Sequence, residues 1–134
     1  MPRSPGRHPH SAARLMRGDE QRVVDAFCSY LRAEGWDVET GVEWVDAVGR
    51  RGEETIYAEV KGRAGPDTGT ALDILYGQLL RRMEAEKVPG VRYAVVVPDD
   101  AITKAQRVPA WVRDRLRVDL YAVSVDGGVV RVFE

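Results

Sequence analysis

Several things this 134-residue chain lacks narrow what it can be. It has one cysteine, Cys28, which excludes an internal disulfide and suits a reducing cytoplasm. Set within a helical pattern, that thiol reads as a small buried filler. No apolar run approaches the length of a membrane span, so neither a transmembrane segment nor a membrane partner is expected. Histidine is nearly absent: the only two, His8 and His10, fall in an N-terminal stretch rich in Pro, Gly, Ser and Arg. No Gly-Lys-Ser/Thr ending follows the one glycine-rich loop, Gly62 to Thr70, which excludes a P-loop. A net charge of −1 does not advertise a nucleic-acid binder. Lysine is scarce, with Lys61, Lys87 and Lys104 the only three among 20 basic residues. Where the chain otherwise chooses arginine, a lysine marks a place that needs a compact charge with a tunable pKa.

What is present centres on Trp44 to Arg63, WVDAVGRRGEETIYAEVKGR. Two runs of β-branched and aromatic residues flank glycine and charge, which is a hairpin signal. The spacing predicts a strand over 44–48, a turn over 49–53 and a strand over 55–61. Side chains alternate along a strand, so Ile56, Ala58 and Val60 face a core while Tyr57, Glu59 and Lys61 point the other way. If Asp46 lies opposite Glu59, two carboxylates and an ammonium converge on one patch. Two carboxylates about 4 Å apart repel by about 4 kcal/mol at an effective dielectric near 20. Lys61 offsets part of this, and a divalent cation would offset the rest. Carboxylate oxygens completed by water suit magnesium or manganese. The plainer reading is that alternating charges simply keep an exposed strand face soluble.

Around this hairpin the periodicity predicts a single mixed domain. Residues 1–18 form a basic tail without periodicity, read as disordered and without a secretory signal's apolar stretch. Arg3, Arg7, Arg14 and Arg17 stand in it without an acid, which leaves the rest at 16 basic against 21 acidic residues. A first helix over 19–34 carries Val23, Val24, Phe27, Tyr30 and Leu31 at helical spacing. Glu20 falls on that stripe's side, although an acid in a first turn also complements the helix dipole. A strand at 36–40 precedes the hairpin. A second helix over 70–87 places Leu72, Leu75, Leu79 and Met83 inward, with Gln78 and Arg82 a turn apart at the stripe's edge. Val91 to Val97 reads as a strand buried on both faces. Short helical pieces follow over 99–106 and 109–117, the latter with Trp111, Val112 and Leu116 inward and Arg113 and Arg117 outward. Strands at 118–125 and 129–133 close the chain.

A helix with Glu20, then Asp46, then Glu59-Val60-Lys61, then a helix with Gln78 resembles the PD-(D/E)xK nuclease superfamily, the restriction-endonuclease-like fold. The likeness spans residues 19–98, and the short length resembles small Holliday-junction resolvases. It implies an α/β fold with an αβββαβ core and a mixed central sheet flanked by helices. It further implies that Asp46 and Glu59, with the backbone carbonyl of Val60, bind Mg²⁺ or Mn²⁺. Lys61 would position the attacking water, Glu20 would complete the site, and Gln78 would reach towards it. The family's proline before the aspartate is replaced by Val45.

The expectation is a cytoplasmic, metal-dependent nuclease acting on DNA, structured or damaged rather than of fixed sequence. Arg50, Arg51, Arg63, Arg81 and Arg82, close in sequence to the motif elements, are the candidate phosphate contacts. One site per chain implies a homodimer wherever two strands are cut symmetrically. The alternatives are an inactive module of the same fold that binds nucleic acid or a partner protein, and a toxin- or defence-linked nuclease that needs a partner subunit.

Overall fold

The computed structural model describes residues 11–62, 65–83 and 88–134, with side chains from residue 19 onward. In chain order the elements are α1 (Ser11–Ala33), β1 (Asp37–Thr40), β2 (Ala47–Arg51), β3 (Glu54–Val60), α2 (Thr68–Arg81) and β4 (Val91–Pro98). A 3₁₀ turn (Asp99–Ala101), α3 (Ile102–Ala105), α4 (Ala110–Leu116), β5 (Val118–Val123) and β6 (Val129–Val132) complete the fold. The six strands form one sheet in sequence order. Pairs β1–β2, β2–β3 and β5–β6 are antiparallel, while β3–β4 and β4–β5 are parallel. This is a mixed, open α/β sheet flanked by helices, and its first six elements run αβββαβ.

Period-2 alternation divides the core into two layers. Ile56, Ala58, Val60, Ala94, Val96, Tyr121 and Val123 face α1 and pack on Val23, Phe27, Cys28 and Leu31. Val95, Val97, Val118 and Leu120 face the other way, against Leu72, Leu75 and Leu79 of α2 and Ala101 and Ala105 beyond β4. Residues 94–97 are wholly buried because each belongs to one of these layers. Cys28 is buried among the first set, a filler as its setting in the sequence implied. Among the described residues no helix is long and apolar enough to cross a membrane.

Several boundaries differ from those read off the sequence. The first helix starts at Ser11 rather than at Asp19, so the tail read as disordered is helical over 11–18, and residues 1–10 lie outside the described residues. Ala12, Ala13, Arg14, Leu15, Met16 and Arg17 are strong helix formers, and a single interior Gly18 costs only about 1 kcal/mol. The hairpin turn is tighter and later than expected. β2 runs to Arg51 and pairs with Glu54, leaving Gly52 (φ +58°) and Glu53 as the two turn residues. Residues 44–46 therefore precede the strand instead of opening it. α2 ends at Arg81, and the expected continuation falls partly on residues 84–87, outside the described residues.

In α4 the expected faces are reversed. Trp111 is 68% and Leu116 36% exposed, whereas Arg113 is only 3% exposed. Arg113 is held inside because its guanidinium donates to the carbonyls of Val108, Val132 and Glu134, closing the end of β6. Three backbone acceptors gathered around one guanidinium outweighed the apolar pattern there.

Candidate functional site

The hairpin register carries the site. Ala47 pairs with Ala58, and Asp46, just before β2, donates its N–H to that same Ala58 carbonyl at 3.1 Å instead of advancing to Glu59, so the regular ladder ends there. The Asp46 carboxyl nevertheless reaches Glu59, on the side of the sheet that α2 covers, and shares a hydrogen bond with it. The Asp46 carboxylate is fixed from below: Oδ2 accepts a hydrogen bond from the Val60 N–H at 2.7 Å. Beyond Val60, the Lys61 N–H donates to the Val96 carbonyl at 2.8 Å, so the lysine backbone is still part of the sheet. Alternation puts its side chain on the same side as Glu59. The site thus forms at the carboxyl end of β3, beside the parallel strand β4, where open α/β sheets bind ligands.

Glu59 is buried, with 8% of its surface exposed. Burial, the Asp46 charge and a hydrogen bond between the two carboxyls push its pKa up to about 7, against the pull of Arg82. That arginine's Nε lies 3.8 Å from Glu59 Oε1, an ion-pair distance but too long for a hydrogen bond. The Glu59 carboxyl consequently tends to keep its proton near neutral pH.

Glu20 arrives from α1. It is exposed rather than turned into the core, although Val23 and Phe27 on its stripe are completely buried. The helix overhangs the sheet there, because β3 has already ended and offers no apolar surface to cover Glu20. Its carboxyl is nevertheless raised by partial burial and by Asp46, with Lys61 acting in the opposite direction. What lets the helix approach is Gly62, a residue that sequence reasoning treated as loop. A Cβ at Gly62 would overlap the Cα, Cβ and N of Glu20. The signal was present, a glycine directly after the motif strand, but only the packing shows what it is for.

From the other side, α2 contributes Gln78, Arg81 and Arg82, which with Trp44 and Glu59 line a cleft of about 270 Å³. Arg50 projects on the Glu59 face and pairs with Glu43 at 2.7 Å, beside the same cleft. Arg51, one residue on, faces the opposite side of the sheet. There it meets Glu54 at 3.2 Å, the Glu34 carbonyl at 2.8 Å and the Trp36 ring at 4.4 Å. Arg63 lies outside the described residues. Glu20, Asp46, Glu59, Lys61, Gln78, Arg81 and Arg82 are thus gathered around the end of β3, Arg50 borders them, and Arg51 does not join them.

As a metal site the constellation is lean. Among the described residues no group of three or more His, Cys, Asp and Glu is arranged to hold an ion. The two-carboxylate set of Asp46 and Glu59 is all oxygen. Such a set fits a hard cation that keeps several waters, and the crowding of two acids is what a divalent charge relieves.

No family model matches the chain, and no curated protein matches it. Solved structures do share its fold. One is an XisH family protein from Nostoc punctiforme PCC 73102, at 20% identity and a TM-score of 0.52, covering 84% of this chain and 99% of that one. Another is a fdxN element excision controlling factor protein from Anabaena variabilis, at 17% identity and a TM-score of 0.50, covering 85% and 99%. At these identities the likeness is one of fold.

Proposed function

We propose that this protein is a divalent-metal-dependent hydrolase of DNA phosphodiester bonds. The observation that carries the reading is the hairpin register. It returns the chain on β3 so that the Asp46 carboxylate is clamped on the Val60 N–H at 2.7 Å and meets the Glu59 carboxyl, with Lys61 on Glu59's side of the strand. An enzyme needs its ligands held before the substrate arrives, and backbone clamping does that. Asp46, Glu59 and the Val60 carbonyl would hold magnesium or manganese, which when bound supplies charge neutralisation at a phosphoryl oxygen. Lys61 orients the attacking water by its ammonium, Glu20 steadies that water from α1, and Gln78 fixes the scissile group from α2. Arg81 and Arg82 bind the flanking phosphates. Control of element excision, named for one structural neighbour, is a setting in which a nuclease-like module has a use.

The test is to incubate the protein with linear and branched DNA and magnesium or manganese, with chelator as control. Cleavage should require the metal. It should fall at least about 100-fold in each of Asp46→Asn, Glu59→Gln and Lys61→Ala, the low end of what a positioned proton-handling or electrostatic group contributes. Cutting that survives Lys61→Ala overturns the reading.

A second reading has one observation in its favour, the lack of a three-ligand cluster among the described residues. It is a binding module with the fold but not the chemistry. Titration calorimetry separates the two: an enzyme shows a divalent-metal heat that disappears in Asp46→Asn, and a module shows none.

A further inference from the structure

The peptide that delivers Asp46 has an unusual shape. Glu43 (φ +53°) and Trp44 (φ +64°) are consecutive non-glycine residues in the left-handed region, a costly conformation that persists only where the surroundings enforce it. The enforcement is visible. Arg82 Nη1 donates to the Glu43 carbonyl at 2.7 Å, and Arg50 grips the Glu43 carboxylate at 2.7 Å. Val45 N–H donates to the Val42 carbonyl at 3.1 Å, and Gly41 N–H to the Asp46 carbonyl at 3.3 Å. Val45 itself is anchored in the interior at 4% exposure. Between these fixings the Trp44 side chain stands 95% exposed, on the rim of the cleft that Glu59, Gln78, Arg81 and Arg82 line. Strain is thus spent on holding a large aromatic ring in water beside a cationic wall.

Building on the DNA-directed reading of this cleft, we propose that Trp44 is a stacking platform for an unpaired nucleobase, so that the substrate is DNA with a single-stranded stretch at the site. A nucleobase offers a π-face of the right size to an indole, and its own phosphate gives Arg81 and Arg82 their counter-charge. Continuous duplex keeps its bases stacked on one another and presents Trp44 with phosphate and sugar only. A positioned ring also needs no ordering on binding, since its backbone is already clamped on both sides.

The experiment works without cleavage. In chelator, a short oligothymidylate and a blunt duplex of equal length are titrated into the protein while tryptophan emission and anisotropy are followed. Trp36 is buried, at 9% exposure, and Trp111 is on α4, so a Trp111→Phe background leaves Trp44 as the exposed indole that DNA can quench. The single strand should quench the emission and bind more tightly than the duplex. Trp44→Ala should abolish the preference and weaken single-strand binding about tenfold, as loss of one stacked base does, and Trp44→Phe should retain most of it. Equal affinity for both DNAs, or single-strand binding indifferent to Trp44→Ala, overturns the proposal. So does an emission change that follows protein concentration without DNA, which would make the ring a contact between copies. Metal-dependent cutting of intact duplex by Trp44→Ala at the parental rate would sink the platform and leave the hydrolase. Trp44-dependent single-strand binding with no cutting under any metal would do the reverse.

Discussion

Two buried carboxylates stand on adjoining parts of one sheet, and they are treated in opposite ways. Asp119 on β5 faces α1 and is 4% exposed. It accepts hydrogen bonds from Arg92 Nε at 2.9 Å and Arg92 Nη2, and from Arg131 Nη2 at 2.8 Å. Glu59 on β3 faces α2 and is 8% exposed. Its near neighbour is another acid, and its arginine stops at 3.8 Å. The register explains the first: Tyr121 pairs with Arg131 across β5 and β6, and period-2 alternation puts Arg131, Asp119 and Arg92 on the same face. Glu59 instead meets an acid from just outside the ladder, Asp46, whose carboxylate is held on the Val60 N–H. A buried charge surrounded by fixed cations has nothing left to bind, whereas a buried charge set against its like is held in readiness for something cationic. The contrast makes Asp119 a structural acid and, on the proposed reading, leaves Glu59 for chemistry.

The strongest way to break the contrast is to remove the satisfied acid. Asp119→Ala leaves two half-buried guanidiniums facing each other and should cost about 3 kcal/mol in urea unfolding, the lower end for a broken buried pair because Arg92 and Arg131 remain partly wet. Cleavage per folded molecule should be unchanged. A fall in cleavage with stability intact would assign Asp119 to the site as well.

Removing the frustrated acid should act in the other direction. The folded protein binds a proton at Glu59 with a pKa of about 7, above the ordinary 4.5. Its contribution to stability is therefore fully present below about pH 4.5 and is lost as pH rises through about 7. Asp46, Arg82 and Glu20 all act on this group, and Glu20 shifts with the same sign. At pH 8 in chelator, Glu59→Gln should gain about 3 kcal/mol, since each pK unit of the rise from 4.5 to about 7 is worth about 1.4 kcal/mol. Its stability should also fall less between pH 5 and pH 7.5 than that of the parent, and magnesium should narrow the difference. A Gln variant less stable than the parent at pH 8 would show that Glu59 is a satisfied structural acid after all.

Much of this was legible beforehand, and the parts that were not have identifiable causes. The αβββαβ order followed from periodicity, and the doubly buried β4 from its unbroken apolar run. The alternation along β3 correctly separated Glu59 and Lys61 from the core-facing Ile56, Ala58 and Val60. The turn was misplaced because Gly49 and Gly52 both look like turn residues. Gly49 is instead a strand position where a Cβ would crowd Ile56, Leu31 and Trp36. Glu20 lay on the correct helical stripe, yet only the length of the sheet decides whether that stripe is covered. The left-handed pair Glu43-Trp44 had no sequence signal at all, since neither residue favours φ > 0. Tertiary contacts from Arg82 and Arg50, distant along the chain or across the hairpin, impose it.

The smallest expected effect tests the same contrast of faces within two adjacent residues. Arg50 and Arg51 were equivalent when judged by nearness to the motif, but alternation along β2 sends them to opposite sides of the sheet. Arg51 is already committed to Glu54, the Glu34 carbonyl and the Trp36 ring, far around the sheet from Asp46. Arg51→Ala should cost about 1 kcal/mol of stability through that lost cation–π and hydrogen-bonding contact. It should change DNA affinity by less than about twofold and leave the salt dependence of binding as it was. Arg81→Ala, by contrast, removes a guanidinium from the cleft wall and should lower the slope of log K against log salt by about one. Equal losses of affinity and of salt slope in the two variants would mean that DNA wraps both faces of the sheet. The separation of a chemical face from an architectural one would then no longer hold.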